Sequence, residues 1–345
     1  MSRPIHILST KFFDDAWLTR LAGVAPNLVI RQITTDDPDD IPAAVWRDVE
    51  ILYAWKSLPN PAIAPHLRWI QLDTAGYDHV LKSPYADLNV PVTTLAGVAP
   101  PNMAEYALMM MLAFSHRMPF MVRQQDKREW GTSQFRWDHF MPSELLGKTV
   151  GVIGYGAIGR EIGRIAHAFS MSVLALAPSP ASLQVKPLTY QVPALINLPG
   201  KEPDAFYTPD HMLDMLPLCD YVVLVVPHNA ATHHIFNAAA FAAMKPGAVL
   251  INIARGGVVD EVALIDALQS GRLGGAALDV FEHEPLPPES PLWSMPNVII
   301  SPHIAGYTSR YFQVVFDIFS TNIQRYLAGE PLINQVLPIR KVVSS

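Results

Sequence analysis

Residues 149–160 read Thr149-Val150-Gly151-Val152-Ile153-Gly154-Tyr155-Gly156-Ala157-Ile158-Gly159-Arg160, an apolar stretch that runs into a glycine-rich turn. The stretch before the turn predicts a β-strand, and residues 160–169 carry apolar side chains at helical spacing. In such a strand–turn–helix, Gly154 allows the tight turn, Gly156 lets the backbone approach a pyrophosphate, and Gly159 lets the helix pack closely. The N–H groups of Ala157 and Ile158 would face the phosphates. The stretch predicts a dinucleotide site, with a structural turn that binds no ligand as the alternative.

Strand and helix patterns alternate along the whole chain. Short apolar strands are expected at 5–8, 28–33, 50–54, 69–72, 149–153, 173–176, 221–226, 249–253 and 276–278, and helices at 14–22, 103–118, 160–169 and 211–216. This alternation predicts an α/β fold with parallel sheets. A length of 345 residues, half of them apolar, is sufficient for two globular domains with separate cores.

Composition excludes several classes of partner. The net charge is −6 and no long basic run occurs, which argues against nucleic acid and anionic membranes. The most apolar helical run, residues 106–114, is too short to span a bilayer, and the N-terminus has no signal-peptide pattern. The single cysteine, Cys219, has apolar neighbours and is expected to be a buried, inert thiol in a reducing compartment. A cytoplasmic protein is therefore predicted.

Two segments have more than one interpretation. The helix at 103–118 is apolar on most sides, which fits either a core helix or a subunit interface. Residues 178–209 are rich in proline with little periodicity, and form either a functional loop or a surface insertion.

Polar residues follow four successive strands after the glycine turn: Pro227-His228-Asn229, then Arg255, then Asp279, then His303. Carboxyl ends of parallel strands meet at one edge of a sheet, where ligands bind. Hydride transfer at a carbonyl carbon needs a proton donor, for which histidine is suited, and a cation to hold an anionic substrate. Glu282 and Glu284 are expected to form a carboxylate pair at the same edge, and a carboxylate behind the histidine would fix its tautomer. Each residue also has a plain structural interpretation: Arg255 in a surface ion pair, Glu284 as a solvated charge, His303 as a capping residue.

The turn at 73–78 also follows directly on a predicted strand. Backbone N–H groups of Ala75 and Gly76 could receive a carboxylate there. An ordinary left-handed turn at Gly76 is the alternative.

Several motifs in sequence order resemble one enzyme family. They are Leu146-Gly147-Lys148-Thr149-Val150-Gly151, the run from Met244 through Lys245-Pro246-Gly247 to Arg255-Gly256, Ala277-Leu278-Asp279-Val280-Phe281, Glu284-Pro285, and Ser301-Pro302-His303-Ile304-Ala305-Gly306, with Thr74-Ala75-Gly76 and Ala104-Glu105 also similar. The chain resembles the D-isomer-specific 2-hydroxyacid dehydrogenase family, which includes phosphoglycerate dehydrogenases and glyoxylate/hydroxypyruvate reductases. The likeness extends over nearly the whole chain.

The resemblance implies two Rossmann-like, doubly wound parallel-sheet domains with the active site in the cleft between them. The substrate-binding domain would comprise 1–101 plus 307–345, and the dinucleotide-binding domain 102–306. Arg255 would bind the 2-oxo acid, His303 would be the acid/base, and Glu284 would pair with His303. The backbone of Ala75 and Gly76 would take the substrate carboxylate.

The same resemblance implies a cofactor site and an assembly. Asp279 would contact the nicotinamide side of the cofactor. The full set of cofactor-binding positions would be Gly154, Gly156, Ala157, Ile158, Gly159, Ala177, Ser179, Pro227, Thr232, Ile253, Ala254, Asp279 and His303. The helix after residue 102 would form a homodimer interface, and no metal site is expected.

One departure from the family bears on the cofactor. Where NAD-preferring relatives place an acidic residue after the second strand, this chain has Ala177-Pro178-Ser179. Ser179 and Ser182 could donate hydrogen bonds to a 2′-phosphate and Lys186 could add charge, which favours NADP(H) with NAD(H) tolerated. Alternatively, Ala177 serves only strand packing.

The expected activity is hydride transfer between a nicotinamide cofactor and a small 2-oxo acid or D-2-hydroxy acid. Two other interpretations stay open. One is a non-catalytic, dinucleotide-sensing interaction protein, since corepressors that resemble this family keep its catalytic residues. The other is a dehydrogenase of formate or phosphite on the same scaffold.

Overall fold

The computed structural model describes residues 3–183, 188–196, 198–200 and 202–338, with the side chains of 182 and 183 left out. The strands are β1 (Ile5–Ser9), β2 (Leu28–Gln32), β3 (Ile51–Ala54), β4 (Trp69–Leu72), β5 (Val92–Thr93), β6 (Thr149–Ile153), β7 (Ser172–Leu176), β8 (Ala205–Tyr207), β9 (Tyr221–Leu224), β10 (Val249–Asn252), β11 (Gly275–Leu278), β12 (Val298–Ile300) and β13 (Gln335–Leu337).

Helices connect most of these strands. They are α1 (Asp15–Ala22), α2 (Ala43–Trp46), α3 (Pro100–Ser115), α4 (Met118–Lys127), α5 (Ser133–Phe140), α6 (Ala157–Ala168), α7 (Met212–Met215), α8 (Ala238–Ala243), α9 (Glu261–Gln269) and α10 (Tyr311–Ala328). The helix expected at 211–216 is shorter than predicted, because 3₁₀ turns at Pro209–His211 and Leu216–Leu218 flank α7.

The described residues fall into two compact units. The first contains 3–98, 188–192 and 309–338, and the second contains the described residues of 99–185 and 193–308. The predicted boundaries at 101/102 and 306/307 lie close to the points at which the chain changes unit. The segment 188–192 differs from the prediction, since it clusters with the first unit and not with the dinucleotide-binding half.

The first unit is built on a sheet of order β13-β5-β4-β3-β1-β2. Its strands pair in parallel except β13, which is antiparallel to β5. The order β2-β1-β3-β4-β5 is the flavodoxin-like doubly wound arrangement, in which the carboxyl ends of the strands share one edge. The turn at residues 73–78 lies at that edge, directly after β4.

The second unit is built on a fully parallel sheet of order β12-β11-β10-β9-β6-β7-β8. The strand order reverses at β6, the first strand of the unit in the sequence, so the turn that follows β6 lies at the switch point of a Rossmann-type sheet. The predicted class of two Rossmann-like parallel-sheet domains is confirmed. The prediction that the strand ends after β9, β10, β11 and β12 share one edge is confirmed as well.

Both faces of each sheet are covered by apolar side chains. Along β9, Tyr221 and Val223 face one core cluster, while Val222 and Leu224 face another. Such strands read as continuous apolar runs because helices cover both faces of a parallel sheet. This is why the sequence shows the strands of this unit clearly.

The helix predicted at 103–118 is two helices in the structure. Arg117 has a left-handed backbone with φ of 55°, which a right-handed helix cannot include, so α3 ends at Ser115 and α4 starts at Met118. Ala107 and Met111 of α3 are buried in the same core cluster as Ile162 of α6. This face of α3 is therefore a core face of the second unit.

The segment at 178–209 was expected to be a loop, but part of it forms regular structure. Its last part forms β8, which adds a parallel strand beside β7. Residues 188–192 are held within the first unit by Asn334, whose N–H donates to Leu188 O at 2.8 Å and whose Oδ1 accepts from Tyr190 N at 2.8 Å. The segment thus extends a sheet of one unit and packs in the other.

Cys219 is fully buried, and burial raises the pKa of its thiol to about 12. The prediction of a buried thiol is confirmed. Across the helices that the structure describes, none has both the length and the apolar character needed to cross a membrane.

Candidate active site

The glycine turn between β6 and α6 has the geometry of a phosphate cradle. Gly154 has φ of 100°, and a Cβ on Gly159 would lie 2.3 Å from Gly154 O, so both positions need glycine. A Cβ on Gly156 would meet nothing within 4 Å, which leaves open space in front of its backbone. The N–H groups of Gly156, Ala157 and Ile158 donate to no group among the described residues. The turn therefore fits the pyrophosphate of a dinucleotide.

The end of β7 carries no carboxylate. Ala177 is 3% exposed and its N–H donates to Tyr207 O at 3.1 Å, so it belongs to the core of the sheet. Pro178 and Ser179 follow at the surface edge. The side chain of Ser182 and the whole of Lys186 lie outside the described residues. The first residues after β7 that are not buried are Pro178 and Ser179.

The turn after β9 is closed by Thr232. Its hydroxyl donates to Pro227 O at 2.6 Å and accepts from Asn229 N at 2.9 Å. Thr232 thus shapes the turn at the same edge of the sheet as the glycine cradle. The two residues predicted as cofactor contacts, Pro227 and Thr232, are joined in one local structure.

Arg255 follows the end of β10 after two intervening residues. Buried Ile253 and Ala254 precede it, and the Asn252 side chain fixes the bend by accepting from Ala254 N at 3.1 Å and donating to Arg255 O at 3.2 Å. The guanidinium is partly buried and donates to Ala254 O at 2.6 Å. The local structure holds the backbone of Arg255 at the carboxyl edge.

His303 and Glu284 are hydrogen-bonded at the same edge. His303 Nδ1 lies 2.8 Å from Glu284 Oε2, and Glu284 Oε1 accepts from Phe281 N at 3.1 Å. The imidazole is 50% exposed. With Nδ1–H directed at the carboxylate, Nε2 is the ring nitrogen left to exchange a proton. The pairing that the resemblance implied is present in the geometry.

Asp279 holds the loop that carries His303. Its carboxylate is 2% exposed and accepts from Ser301 Oγ at 2.5 Å, Ile304 N at 2.8 Å and Ala305 N at 2.9 Å. Its backbone oxygen accepts from His303 N at 2.9 Å. His303 has a left-handed φ of 56°, a conformation that needs such support. Asp279 was predicted to contact the cofactor, and the structure shows it fixing the His303 loop.

Glu282 and Glu284 do not act as a carboxylate pair. Glu282 Oε1 lies 2.8 Å from His234 Nε2 and accepts from Glu261 N at 3.2 Å. Of the two candidate carboxylates, the structure therefore places Glu284 behind His303 and uses Glu282 to join two loops.

In the first unit, the turn after β4 presents open backbone donors. The N–H groups of Thr74, Ala75 and Gly76 donate to no group in the described chain. Thr74 Oγ1 donates to Gly76 O at 2.6 Å, and Leu95 N donates to Thr74 O at 2.9 Å. A row of unpaired N–H groups in a braced turn suits a carboxylate ligand.

Two sets of supporting residues were not predicted. Tyr106 of α3 donates to Ser301 Oγ at 2.5 Å and so continues the chain of bonds to Asp279. Tyr53 and Tyr311 both donate to Asp73. Asp73 stands directly after a strand, which is a usable signal, but no sequence pattern points to Tyr106 or Tyr311.

A cavity of about 580 Å³ lies at the opposite, amino-terminal edge of the second sheet. Its cations have partners within the protein: Lys148 and Lys245 lie 3.9 and 2.7 Å from Asp220, and Arg123 donates to Pro296 O at 2.6 Å. None of the predicted site residues lines this cavity. No group of three metal-ligating side chains converges within the described residues.

Known proteins resemble this chain in sequence. The sequence profile described as D-isomer specific 2-hydroxyacid dehydrogenase, NAD binding domain, matches residues 108–305. A glyoxylate reductase from Pyrococcus furiosus is 33% identical over 284 residues, which are 81% of this chain and 79% of that protein. A glyoxylate/hydroxypyruvate reductase B from Citrobacter koseri is 35% identical over 311 residues, 88% of both chains.

A solved structure resembles it in fold. The NADPH-dependent glyoxylate/hydroxypyruvate reductase from Sinorhizobium meliloti, in complex with NADP and sulfate, has a TM-score of 0.75 at 29% identity. The similarity covers 97% of this chain and 98% of that one.

Proposed function

Since the chain belongs to the D-isomer specific 2-hydroxyacid dehydrogenase family and is a nicotinamide-dependent 2-hydroxyacid dehydrogenase, we propose that it reduces glyoxylate, hydroxypyruvate and related small 2-oxo acids. The observation that carries the proposal is the 2.8 Å pair of His303 Nδ1 and Glu284, at the same sheet edge as the glycine cradle. Two relatives of this chain act on these substrates by name.

We propose that His303 is the general acid of the reduction. Nε2 donates a proton to the carbonyl oxygen of the substrate as that oxygen becomes a hydroxyl. Glu284 holds Nδ1 and so keeps the ring in one orientation, while Asp279 holds the loop on which the ring is carried. In the oxidation direction the same nitrogen accepts the proton.

Two groups of this chain are proposed to bind the substrate. The Arg255 guanidinium attracts the 2-oxo acid and polarises its carbonyl. In the first unit, the N–H groups of Ala75 and Gly76 are proposed to receive the carboxylate. Arg255 would supply a positive charge and the turn would supply directed N–H donors to the substrate carboxylate. The enzyme should therefore prefer a 2-oxo acid over a simple aldehyde as its substrate.

The glycine cradle and its neighbours are proposed to hold the cofactor. The N–H groups of Gly156, Ala157 and Ile158 bind the pyrophosphate at the start of α6. Pro227, Thr232, Ile253 and Ala254, with Asp279 and His303 behind them, are proposed to line the nicotinamide end. A nicotinamide bound there supplies the hydride. The chain's contribution is to orient substrate and proton donor and to hold the cofactor.

A matched substrate panel tests the proposed function. Glyoxylate and hydroxypyruvate are offered with NADPH and with NADH, beside glycolaldehyde, which lacks the carboxylate. Turnover of the two oxo acids, with kcat/KM for glycolaldehyde lower by about 10² or more, is expected because Arg255 and the 74–76 turn lose their ligand. Absence of turnover of every oxo acid, or equal use of glycolaldehyde, would contradict the proposal.

We propose a preference for NADP(H), with NAD(H) tolerated. In support, residues 177–183 contain no carboxylate that would bind the ribose hydroxyls of NAD and repel a 2′-phosphate. The solved relative from Sinorhizobium meliloti is NADPH-dependent by name. The test compares kcat/KM for the two cofactors, and an NADH preference above about 100-fold, about 2.7 kcal/mol, would overturn the proposal. Because Ala177 is buried, Ser179→Asp is the variant to use, and it should shift use toward NADH.

We also propose a homodimer formed through the exposed apolar surface of α4 and α5. Trp130 between these helices is 83% exposed, and Trp137 of α5 is 66% exposed, with Met118, Met121 and Val122 exposed nearby in the sequence. Large apolar side chains exposed in one region of the chain are typical of protein–protein interfaces. Light scattering should show twice the chain mass, and Trp130→Ser with Trp137→Ser should reduce it. Separately, we propose a cytoplasmic location, which the single, buried Cys219 supports because free thiols are typical of reducing compartments.

A further inference from the structure

Asp73, directly after β4, accepts hydrogen bonds from two tyrosines of distant segments. Tyr53 of β3 donates to Asp73 Oδ1 at 2.5 Å, and Tyr311, the first residue of α10, donates to the same oxygen. The Tyr311 hydroxyl also lies 3.2 Å from Asp73 O, while Asp73 N donates to Ala54 O at 2.9 Å. Side chain, carbonyl and N–H of Asp73 are thus all tied to neighbouring elements.

Aromatic packing around Tyr53 holds its hydroxyl in place beside Asp73. Tyr53 is fully buried, with its ring centroid 5.0 Å from that of Phe13 and 5.0 Å from that of Phe319. Burial raises the pKa of Asp73, and the hydrogen bonds from Tyr311 and Tyr53 act against this rise. Asp73 is partly buried. A carboxylate that is shielded from water is stable only where donors satisfy it, and here neutral phenols do so.

The next three residues form the turn with open donors. Thr74, Ala75 and Gly76 present N–H groups that bind nothing in the described chain, and the turn is braced downstream by Leu95 N on Thr74 O. On the N-terminal side, the turn is held by Asp73 through its bonds to Tyr53, Tyr311 and Ala54 O. Donors held before the ligand arrives lose little conformational entropy on binding, so a preorganised turn binds more tightly than a loose one.

We infer that Asp73, clamped by Tyr53 and Tyr311, is a positioning residue that fixes the Thr74–Gly76 turn for binding the substrate carboxylate. The inference rests on the proposed function, because that function places the carboxylate on this turn. The tyrosines act through Asp73 and touch no substrate. Their removal should therefore weaken ground-state binding of the oxo acid and leave the proton-transfer step in place.

Tyr311→Phe tests the clamp, since it removes one hydroxyl and keeps the ring. We expect KM for glyoxylate to rise about tenfold, which corresponds to about 1.4 kcal/mol. The values of kcat and of KM for the nicotinamide cofactor should stay within about twofold. Tyr53→Phe should change KM in the same direction.

Tyr326→Phe is the matched control. Tyr326 lies near the other end of α10 and donates to Glu50 Oε1 at 2.7 Å, so this variant also deletes a tyrosine–carboxylate bond from the same helix. Its KM for glyoxylate should not change. An equal rise of KM in both variants, no rise in either, or a fall of kcat alone in Tyr311→Phe would overturn the inference.

Calorimetric titration of the cofactor-loaded enzyme with oxamate distinguishes failure of the proposed reductase function from failure of the proposed role of Asp73. Oxamate carries a carboxylate beside a carbonyl and is not reduced. If wild type binds oxamate but turns over no oxo acid, the proposed reductase function fails while the clamp remains measurable as about tenfold weaker binding by Tyr311→Phe. If turnover is present and Tyr311→Phe binds oxamate as wild type does, only the clamp fails. If wild type neither binds oxamate nor turns over any oxo acid, both fail.

Discussion

Asp279→Asn should destabilise the second unit and slow the reaction at the same time. The carboxylate accepts three hydrogen bonds, from Ser301 Oγ, Ile304 N and Ala305 N. An amide has one acceptor oxygen and places an NH₂ group against donors, so at least one bond to a charged group is lost, at about 1.5–3 kcal/mol. We expect a Tm lower by about 4–8 °C, from about 2 kcal/mol and 2–4 °C per kcal/mol.

The effect on activity follows from the loop that Asp279 holds. The loop carries His303, and a displacement of about 1 Å of a reacting group can cost about 10²-fold, so kcat should fall about 10- to 100-fold. Cofactor Kd, from fluorescence titration, should change little. Asp220→Asn is the control: its carboxylate accepts from Thr149 N at 2.9 Å and Lys245 at 2.7 Å, at the opposite edge of the same sheet. A similar loss of Tm with unchanged kcat is expected there. Unchanged kcat in Asp279→Asn despite the lost stability would refute the role of Asp279 in placing His303.

Further variants address the other groups. His303→Gln should lower kcat by about 10²–10⁴ with cofactor Kd retained, and near-normal turnover would remove His303 from acid/base work. Arg255→Ala should raise KM and lower kcat in steady-state assays; unchanged saturation by glyoxylate would contradict substrate binding by Arg255. Gly159→Ala places a Cβ 2.3 Å from Gly154 O, so the cradle must shift and NADPH Kd should rise more than about tenfold; an unaltered Kd would argue against the cradle. Burial raises the pKa of Asp73, so its contribution to stability is present below the unfolded pKa and is lost as pH rises through the folded pKa. The Tm of Asp73→Asn should therefore improve relative to wild type as the pH rises above the ordinary aspartate pKa of about 4, and a difference in Tm that stays constant with pH would count against this assignment.

Much of the fold was predictable from the sequence, because the signals are local. The turn from β6 into α6 depends on Gly154, Gly156 and Gly159 within a few residues of one another. Backbone sterics alone require glycine at 154 and 159, and Gly156 leaves open space for a ligand. The strands of the second unit are apolar throughout because both sheet faces are covered. Residues at the ends of parallel strands share an edge, so grouping Arg255, Asp279 and His303 needed no coordinates.

Other features were not predictable from hydrophobic pattern, and most of them depend on chain segments far apart in sequence. The α3/α4 break at Arg117 arises from a left-handed residue that helical periodicity does not reveal. The contacts of Glu282 with His234 and with the start of α9 depend on where two loops meet in space. Asp279 was expected beside the cofactor, and its partners at the His303 loop appear only once β11 and β12 are paired.

The sequence by itself determined the α/β class, the glycine cradle, the strand-end residues and the family, since each rests on short-range pattern or on motif order. Tertiary structure decided which side chains support them. The bond between Tyr311 and Asp73 joins residues 238 positions apart. No local pattern encodes such a contact, because its existence depends on the packing of α10 against the sheet of the first unit.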